Sequence, residues 1–465
     1  MDKKCFVFCI GGTGLRVMKS ALMMMSAGME TNGYTIVPII IDPHVELEEQ
    51  RNLAKLIGHY KTIHNEAWRL VNPEQGFFVS SVKYLSEVVG ETTTEMTSNE
   101  EHRTFGQFIG VENIPSSDIN SLLVESLFSS KNIDSSLDVG FKGNPNVGTV
   151  VLGEQFAARG DIKQFKTHVN DDDRIFIVSS IFGGTGASGA PLLQKIIRSS
   201  KDNPKLQNAV LGGVTVLPYF KLGDPKRNHS DIDSSVFLTK TRAALSYYSE
   251  AIHPDYQYYI GEQSMRGTYE NDEQKQKNPA NFIELTAASS LFHFLRQPMP
   301  KEQGKTITLM RAIEQDAPIL DIKAMGESYS DIIKSVTDGH LLTLLTNGLP
   351  DERWLPLRVT KKINTSFYKD RDFGYLSEWQ SIFEQWRGEL ESSDRSFSPL
   401  GSDSVNLGDI VKNLTLEDLN DISCLYLQML NTSHIKKASR QSLLGTLLSY
   451  AYSAIDCYTA KIKIS

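Results

Sequence analysis

Two glycine stretches carry the most chemical content of the chain: Gly11-Gly12-Thr13-Gly14 and Gly183-Gly184-Thr185-Gly186-Ala187-Ser188-Gly189. Each follows a short apolar run, Cys5 to Ile10 or Arg174 to Phe182. Each precedes apolar residues at helical spacing: Leu15, Met18, Leu22 and Met25 after the first, Leu192, Leu193, Ile196 and Ile197 after the second. A strand that stops at glycines before a helix turns backbone amides and the positive end of the helix dipole toward an anion. Glycine suits the turn because a Cβ would block close approach of a phosphate and because some turn positions need positive φ. A third stretch, Gly140-Phe141-Lys142-Gly143-Asn144-Pro145, leads into a helical run from Val147 to about His168 and belongs to the same chemistry.

The common phosphate signatures do not fit. A Walker loop needs a lysine that neither turn supplies, and GTGLRV fails the dinucleotide fingerprint at its third glycine. An unrelated phosphate-using α/β enzyme is the other class to weigh, but no nucleophile–base pair stands out and the ten histidines are scattered. The cysteines Cys5, Cys9, Cys424 and Cys457 lack the CxxC spacing of zinc sites and read as buried free thiols.

The turns need a frame to hold them. A second β-branched run, Tyr34 to Ile41, ends at Asp42-Pro43 and enters a helix-forming stretch from Val45 to Ile57. Further strands are expected at Ala209 to Leu217 and Tyr256 to Ile260, and a core helix starts near Pro279 with Phe282, Leu285, Ala288, Leu291, Phe292 and Leu295 inward. Strands alternating with helices imply an α/β fold with a doubly wound parallel sheet, whose ligands bind outside the carboxyl ends of the strands. Beyond the core helix, Leu376, Trp379, Phe383, Trp386 and Leu390 mark an amphipathic helix, and Leu443 to Cys457 a final one.

Composition sets the limits. The chain has 465 residues, 40% hydrophobic and 22% charged, which suits two or three globular domains. A net charge of −8 argues against a dedicated nucleic-acid binder. The opening MDKKCFVFCI has too short an apolar core for a signal peptide, and no stretch approaches a bilayer span, so a cytoplasmic protein is expected.

Taken in order, these motifs resemble the tubulin/FtsZ superfamily. FGGTGASGAP is similar to its GGGTG[ST]G signature, departing at Phe182 and by the additional Ala187. GFKGNPNVG resembles FtsZ's glycine-Asn-Pro turn, VTVLPYFKLGDPKR the segment reaching the ribose, and IGGTG the first glycine loop. The resemblance covers about residues 5–300 and implies a tubulin/FtsZ-like nucleotide-binding domain over 1–270, insertion-rich at 62–137, then a central core helix at 271–298. A divergent α+β C-terminal domain over 299–465, with a linker near 391–404, completes the expected arrangement.

The resemblance also implies GTP or GDP with Mg2+ as ligands. Gly11, Gly12, Thr13 and Gly14 would contact the α/β-phosphates, Gly143 and Asn144 the γ-phosphate side. Gly183, Gly184, Thr185, Gly186, Ala187, Ser188 and Gly189 would wrap the phosphates, with Thr185 and Ser188 adding hydroxyls. Asp224 and Arg227 are ribose candidates or members of a solvated loop, and Asp42 a magnesium or ribose contact or a helix cap. Glu262 and Ser289 are the nearest matches for base reading, and a carboxylate at Glu262 favours guanine. Members of the superfamily assemble head to tail, and acids from one subunit complete GTP hydrolysis in the next. Residues 297–325 lack that acidic pattern, and Glu302, Glu314, Asp316 and Asp321 are the nearest acids. A self-assembling GTPase and a non-hydrolysing scaffold that recruits a protein partner through its C-terminal region therefore both stay open.

Overall fold

Residues Lys4–Ile10 (β1) form a strand in which Cys5 to Ile10 are all buried, as expected for a parallel strand covered on both faces. Cys5, Val7 and Cys9 face one helical layer while Phe6, Phe8 and Ile10 face the other, so one short apolar run feeds two cores. The computed structural model describes the chain except residues 1, 44–47, 72, 91–102, 138–140, 142, 223–236, 263–266, 270–277, 301–303, 314–328, 351–362, 394–396, 398, 400–421, 436–441 and 461–465.

Around β1 stands a six-stranded, wholly parallel sheet. Its other strands are Thr35–Ile41 (β2), Arg174–Ser180 (β3), Val210–Val216 (β4), Tyr256–Glu262 (β5) and Ile307–Ile313 (β6), in the order β2-β1-β3-β4-β5-β6. The chain therefore starts in the interior, steps outward to β2, returns past β1 to β3 and then runs to the opposite edge. That reversal makes the carboxyl ends of β1 and β3 the topological switch point, where doubly wound sheets open a ligand crevice.

Pro38 inside β2 is tolerated for a specific reason. Ile36 bonds outward, to Ser81 and Lys83 around an isolated parallel bridge to Val82, so Pro38, two residues on, also turns its missing N–H to the outer edge.

The first layer is built on Gly11–Ser26 (α1), Glu48–Trp68 (α2) and Phe282–Arg296 (α7, after Phe237–Ala251, α6). On the opposite face lie Pro145–Ala158 (α3), Gly160–His168 (α4) and Gly184–Arg198 (α5). Helix α1 is buried almost all round because Ser330–Gly348 (α8), Arg371–Ser392 (α9) and Leu443–Thr459 (α11, after Ile422–Ile435, α10) cover the layer that contains it. Trp379 and Trp386, two turns apart on α9, donate their indole N–H groups to Ser26 and Ser20 of α1, at 3.2 and 3.4 Å. One buried apolar cluster consequently runs from β1 to α11.

Several boundaries differ from the sequence expectations. Helix α2 extends to Trp68 rather than Ile57, because buried Tyr60, Ile63 and Ala67 continue its apolar stripe. The helical run expected from Val147 to His168 is broken at Arg159, whose side chain pairs with Asp161. The strand β6 was not foreseen, since ITLMRAI mixes apolar and polar residues without a clean period, yet it extends the main sheet beside β5. Among the described residues no helix is long and apolar enough to cross a membrane.

Two glycines let α1 and α5 sit close over the strand ends. A Cβ on Gly14 would lie 2.8 Å from the carbonyl carbon of Cys9, and one on Gly186 would lie 2.5 Å from the Ser180 carbonyl oxygen. Gly186→Ala and Gly14→Ala are expected to lower stability by about 1–3 kcal/mol through overpacking. Gly374→Ala in α9, where nothing lies within 4 Å, should instead stabilise by about 0.5–1 kcal/mol. Denaturant unfolding checks the contrast, and equal effects at all three positions would contradict it.

Candidate phosphate-binding site

The glycine turns meet at the switch point. Gly11, with φ of +69°, is the first residue of α1, and its Cβ position lies 3.4 Å from the Cβ of Thr185 and 3.6 Å from the amide nitrogen of Gly186. Gly184 opens α5, and its Cβ position lies 3.2 and 3.3 Å from the amide nitrogens of Gly143 and Asn144. The turn at 143–144 in turn opens α3, with Pro145 at its first position. Three stretches separated widely in sequence thus present their backbone at one place.

The helix ends there share an unusual property. No side chain caps the N-terminus of α1, α3 or α5, and none has an acidic residue in its first turn. By contrast α7, α9 and α11 begin at Asn281, Asp370 and Ser442, whose side chains accept main-chain N–H bonds. The first N–H groups of a helix have no intrahelical acceptor, so these uncapped ends bring unmet donors and positive dipole ends together. That is an anion-binding arrangement.

Beside it lies a buried charge cluster that joins α1, α2 and α7. Arg16 donates from Nε to Glu284 at 2.6 Å, from Nη1 to Glu49 at 3.1 Å and from Nη2 to the Tyr219 hydroxyl at 3.2 Å. Glu284 is fully buried, accepts from Tyr219, and also accepts the Asn281 N–H at 3.1 Å as part of the α7 capping box. Burial pushes the Glu49 carboxyl above the ordinary glutamate range, opposed by the charge of Arg16. The same residues adjoin the phosphate turn: the Cβ position of Gly12 is 3.3 Å from both Arg16 Nη1 and Glu49 Oε2.

Each expected residue finds a definite place. Gly11, Gly12, Gly143, Asn144, Gly183, Gly184 and Thr185 lie around the junction. Thr13 is buried and its hydroxyl accepts from Arg16 at 3.4 Å. Gly14, Gly186 and Gly189 serve close packing, Gly189 against Ile10. Ser188, expected to add a hydroxyl to the phosphates, donates that hydroxyl to the Gly184 carbonyl at 2.7 Å inside the helix. The amide of Ala187 is likewise spent, on the Gly183 carbonyl at 3.2 Å, so the free amides of this turn end near Gly186.

Asp42 is buried at the carboxyl end of β2. Glu262 ends β5, two strands beyond β3 and so about 10 Å across the sheet from it. Ser289 donates to the Thr286 carbonyl and lines a cleft of about 430 Å³ with Tyr258, His293 and Met310, whereas the α7 residue joined to the turns is Glu284. Asp224, Arg227, Glu302, Glu314, Asp316 and Asp321 lie outside the described residues.

Sequence reasoning missed Arg16, Glu49, Glu284, Tyr219 and Lys240. The last donates from α6 to the Gly143 carbonyl at 2.7 Å. A local signal existed for Arg16 alone, a charged residue two positions after a glycine turn in a mainly apolar helix. No family model matches the chain, and no curated protein matches it.

Removing the guanidinium would strand two nearly buried carboxylates. Arg16→Met is expected to cost about 3–5 kcal/mol. The deficit should grow with pH, because the Glu49 pKa, already raised, moves higher still without its cation. A raised carboxyl pKa gives stability that is present below the unfolded value and lost as pH climbs through the folded value. Unfolding at pH 5 and pH 8 tests this, and a deficit that shrinks at the higher pH would refute it.

Proposed function

We propose that this chain is a tubulin/FtsZ-like nucleotide-binding protein that holds the polyphosphate of GTP or GDP where α1, α3 and α5 begin. The observation that carries the reading is the meeting of three uncapped helix starts at the switch point of a parallel sheet. Main-chain N–H groups of Gly11, Gly12, Gly184 and Thr185 supply donors that need no reorganisation, and the dipoles favour the charge.

The tubulin/FtsZ component rests on motif order together with this frame. Glycine turn, Asn-Pro turn, second glycine turn and a long helix after the β5 strand follow one another as in that superfamily. Guanine is the base the resemblance favours. Its recognition is proposed for groups near the α7 N-terminus rather than Ser289, which faces a different cleft. Mg2+ fits the donor set: it binds through phosphate oxygens and one or two carboxylates, and Asp42 closes the strand next to β1. Head-to-tail assembly, with hydrolysis completed by a neighbouring subunit, follows from the same resemblance.

Gly12 offers the test, because its Cβ position meets no backbone and only the ends of two side chains, Arg16 and Glu49 of the charge cluster. Gly12→Ala is expected to leave the protein folded, with a small loss of stability from the Arg16–Glu49 pair it presses on, while weakening GTP binding by at least about tenfold, the order of one lost charge-assisted hydrogen bond. Titration calorimetry with GTP and GDP, beside a thermal melt, reads both. Unchanged affinity in the folded variant would remove the assignment.

A further inference from the structure

Helix α6 brings a lysine to the Gly143 turn of the junction. Lys240 Nζ donates to the Gly143 carbonyl at 2.7 Å, and among the described residues no carboxylate lies within ion-pair reach of it. Among the described residues its surroundings are electropositive: the helix starts of α3 and α5, with no acid in their first turns, adjoin the Gly143 turn, and the charge of Lys131 also bears on it. Partial burial and Lys131 together hold the ammonium below the ordinary lysine range.

The next residue repeats the pattern. Thr241 is buried, and its hydroxyl has no hydrogen-bond partner among the described residues. Its helix face is fixed by its neighbours, since Phe237, one turn earlier, packs on Phe182 with ring centroids 5.2 Å apart, and Tyr248, two turns later, donates to the Ala187 carbonyl. Thr241 therefore faces the stretch that ends β3 and begins α5. A half-buried ammonium and a buried hydroxyl on one helical turn, both beside positive helix ends, are groups whose complement is an anion.

We propose that Lys240 is the counter-charge of the outermost phosphate of the bound nucleotide and makes the site distinguish a triphosphate from a diphosphate. The inference rests on the nucleotide reading above and assigns it a selectivity residue. Gly143, with φ of +72°, lets the turn place its amide toward Gly184 while its carbonyl faces Lys240. In this reading the ammonium, held at the Gly143 turn that adjoins the α5 start, meets the end of a phosphate chain that begins at Gly11 and Gly12. A diphosphate, shorter by one group, ends before it.

The test compares GTP and GDP binding to the full chain by calorimetry for the native protein, Lys240→Met, Lys240→Gln and Lys240→Arg. Glutamine keeps a donor for the Gly143 carbonyl and discards the charge. Both neutral variants are expected to lose about tenfold or more in GTP affinity and less than about threefold in GDP affinity, while arginine stays near native. Equal losses for the two nucleotides, or none, would overturn the role of Lys240 while leaving the nucleotide reading in place. A native protein that binds neither GTP nor GDP would overturn both. Inorganic tripolyphosphate against pyrophosphate should reproduce the same preference, since the discrimination is assigned to phosphate and not to the base.

Discussion

The unmet hydrogen-bond donors at the starts of α1, α3 and α5 are the constraint around which this molecule is arranged. Buried or half-buried main-chain N–H groups normally find acceptors. At α7, α9 and α11 the side chains of Asn281, Asp370 and Ser442 supply them, and α4 and α8, which lack a side-chain cap, carry Asp161 and Asp331 in their first turns. At the switch point the sequence places glycine and proline instead, and nothing acidic in the first turns. The sheet order brings these ends together, because the chain leaves β1 in one direction and β3 in the other.

The second organising feature fixes the helix layer against that junction. Glu284 both completes the capping box of α7 and receives Arg16 from α1, so the two helices are tied at their N-terminal ends. At the other end of α7, Arg174 from β3 donates to the carbonyls of Phe294 and Gln297 at 2.5 and 2.6 Å. Helix α7 is thus held at both termini by arginines from elements that border the switch point. The Gly12 Cβ position meets the charged ends of Arg16 and Glu49, which links the turn to α2 and α7 through charge rather than apolar contact.

Much of the frame could be read from residue order, and the reasons are physical. Glycine turns interrupt apolar runs abruptly, so β1, β3 and the helices after them were plain. The continuation of α2 was hidden because polar residues such as His59, Lys61, His64, Asn65 and Glu66 interrupt the stripe of Tyr60, Ile63 and Ala67. Strand β6 was hidden because its pattern has neither helical nor strand period. The Arg16–Glu284 bond joins residues 268 positions apart, and no local spacing encodes such a contact. Ser188 shows what spacing leaves out: a hydroxyl beside glycines reads as a phosphate ligand, and the helix that includes it directs that hydroxyl to the Gly184 carbonyl. Lys240 lies in a helix whose sequence carries no phosphate signature at all.

Selective 15N-glycine labelling followed by titration with GTP tests the central claim most directly. The account predicts that the amide signals of Gly11, Gly12, Gly143 and Gly184 shift together with one dissociation constant, while those of Gly33 and Gly374, remote from the junction, stay in place. Shifts confined to one of the turns, or none at saturating nucleotide, would contradict a shared polyphosphate site.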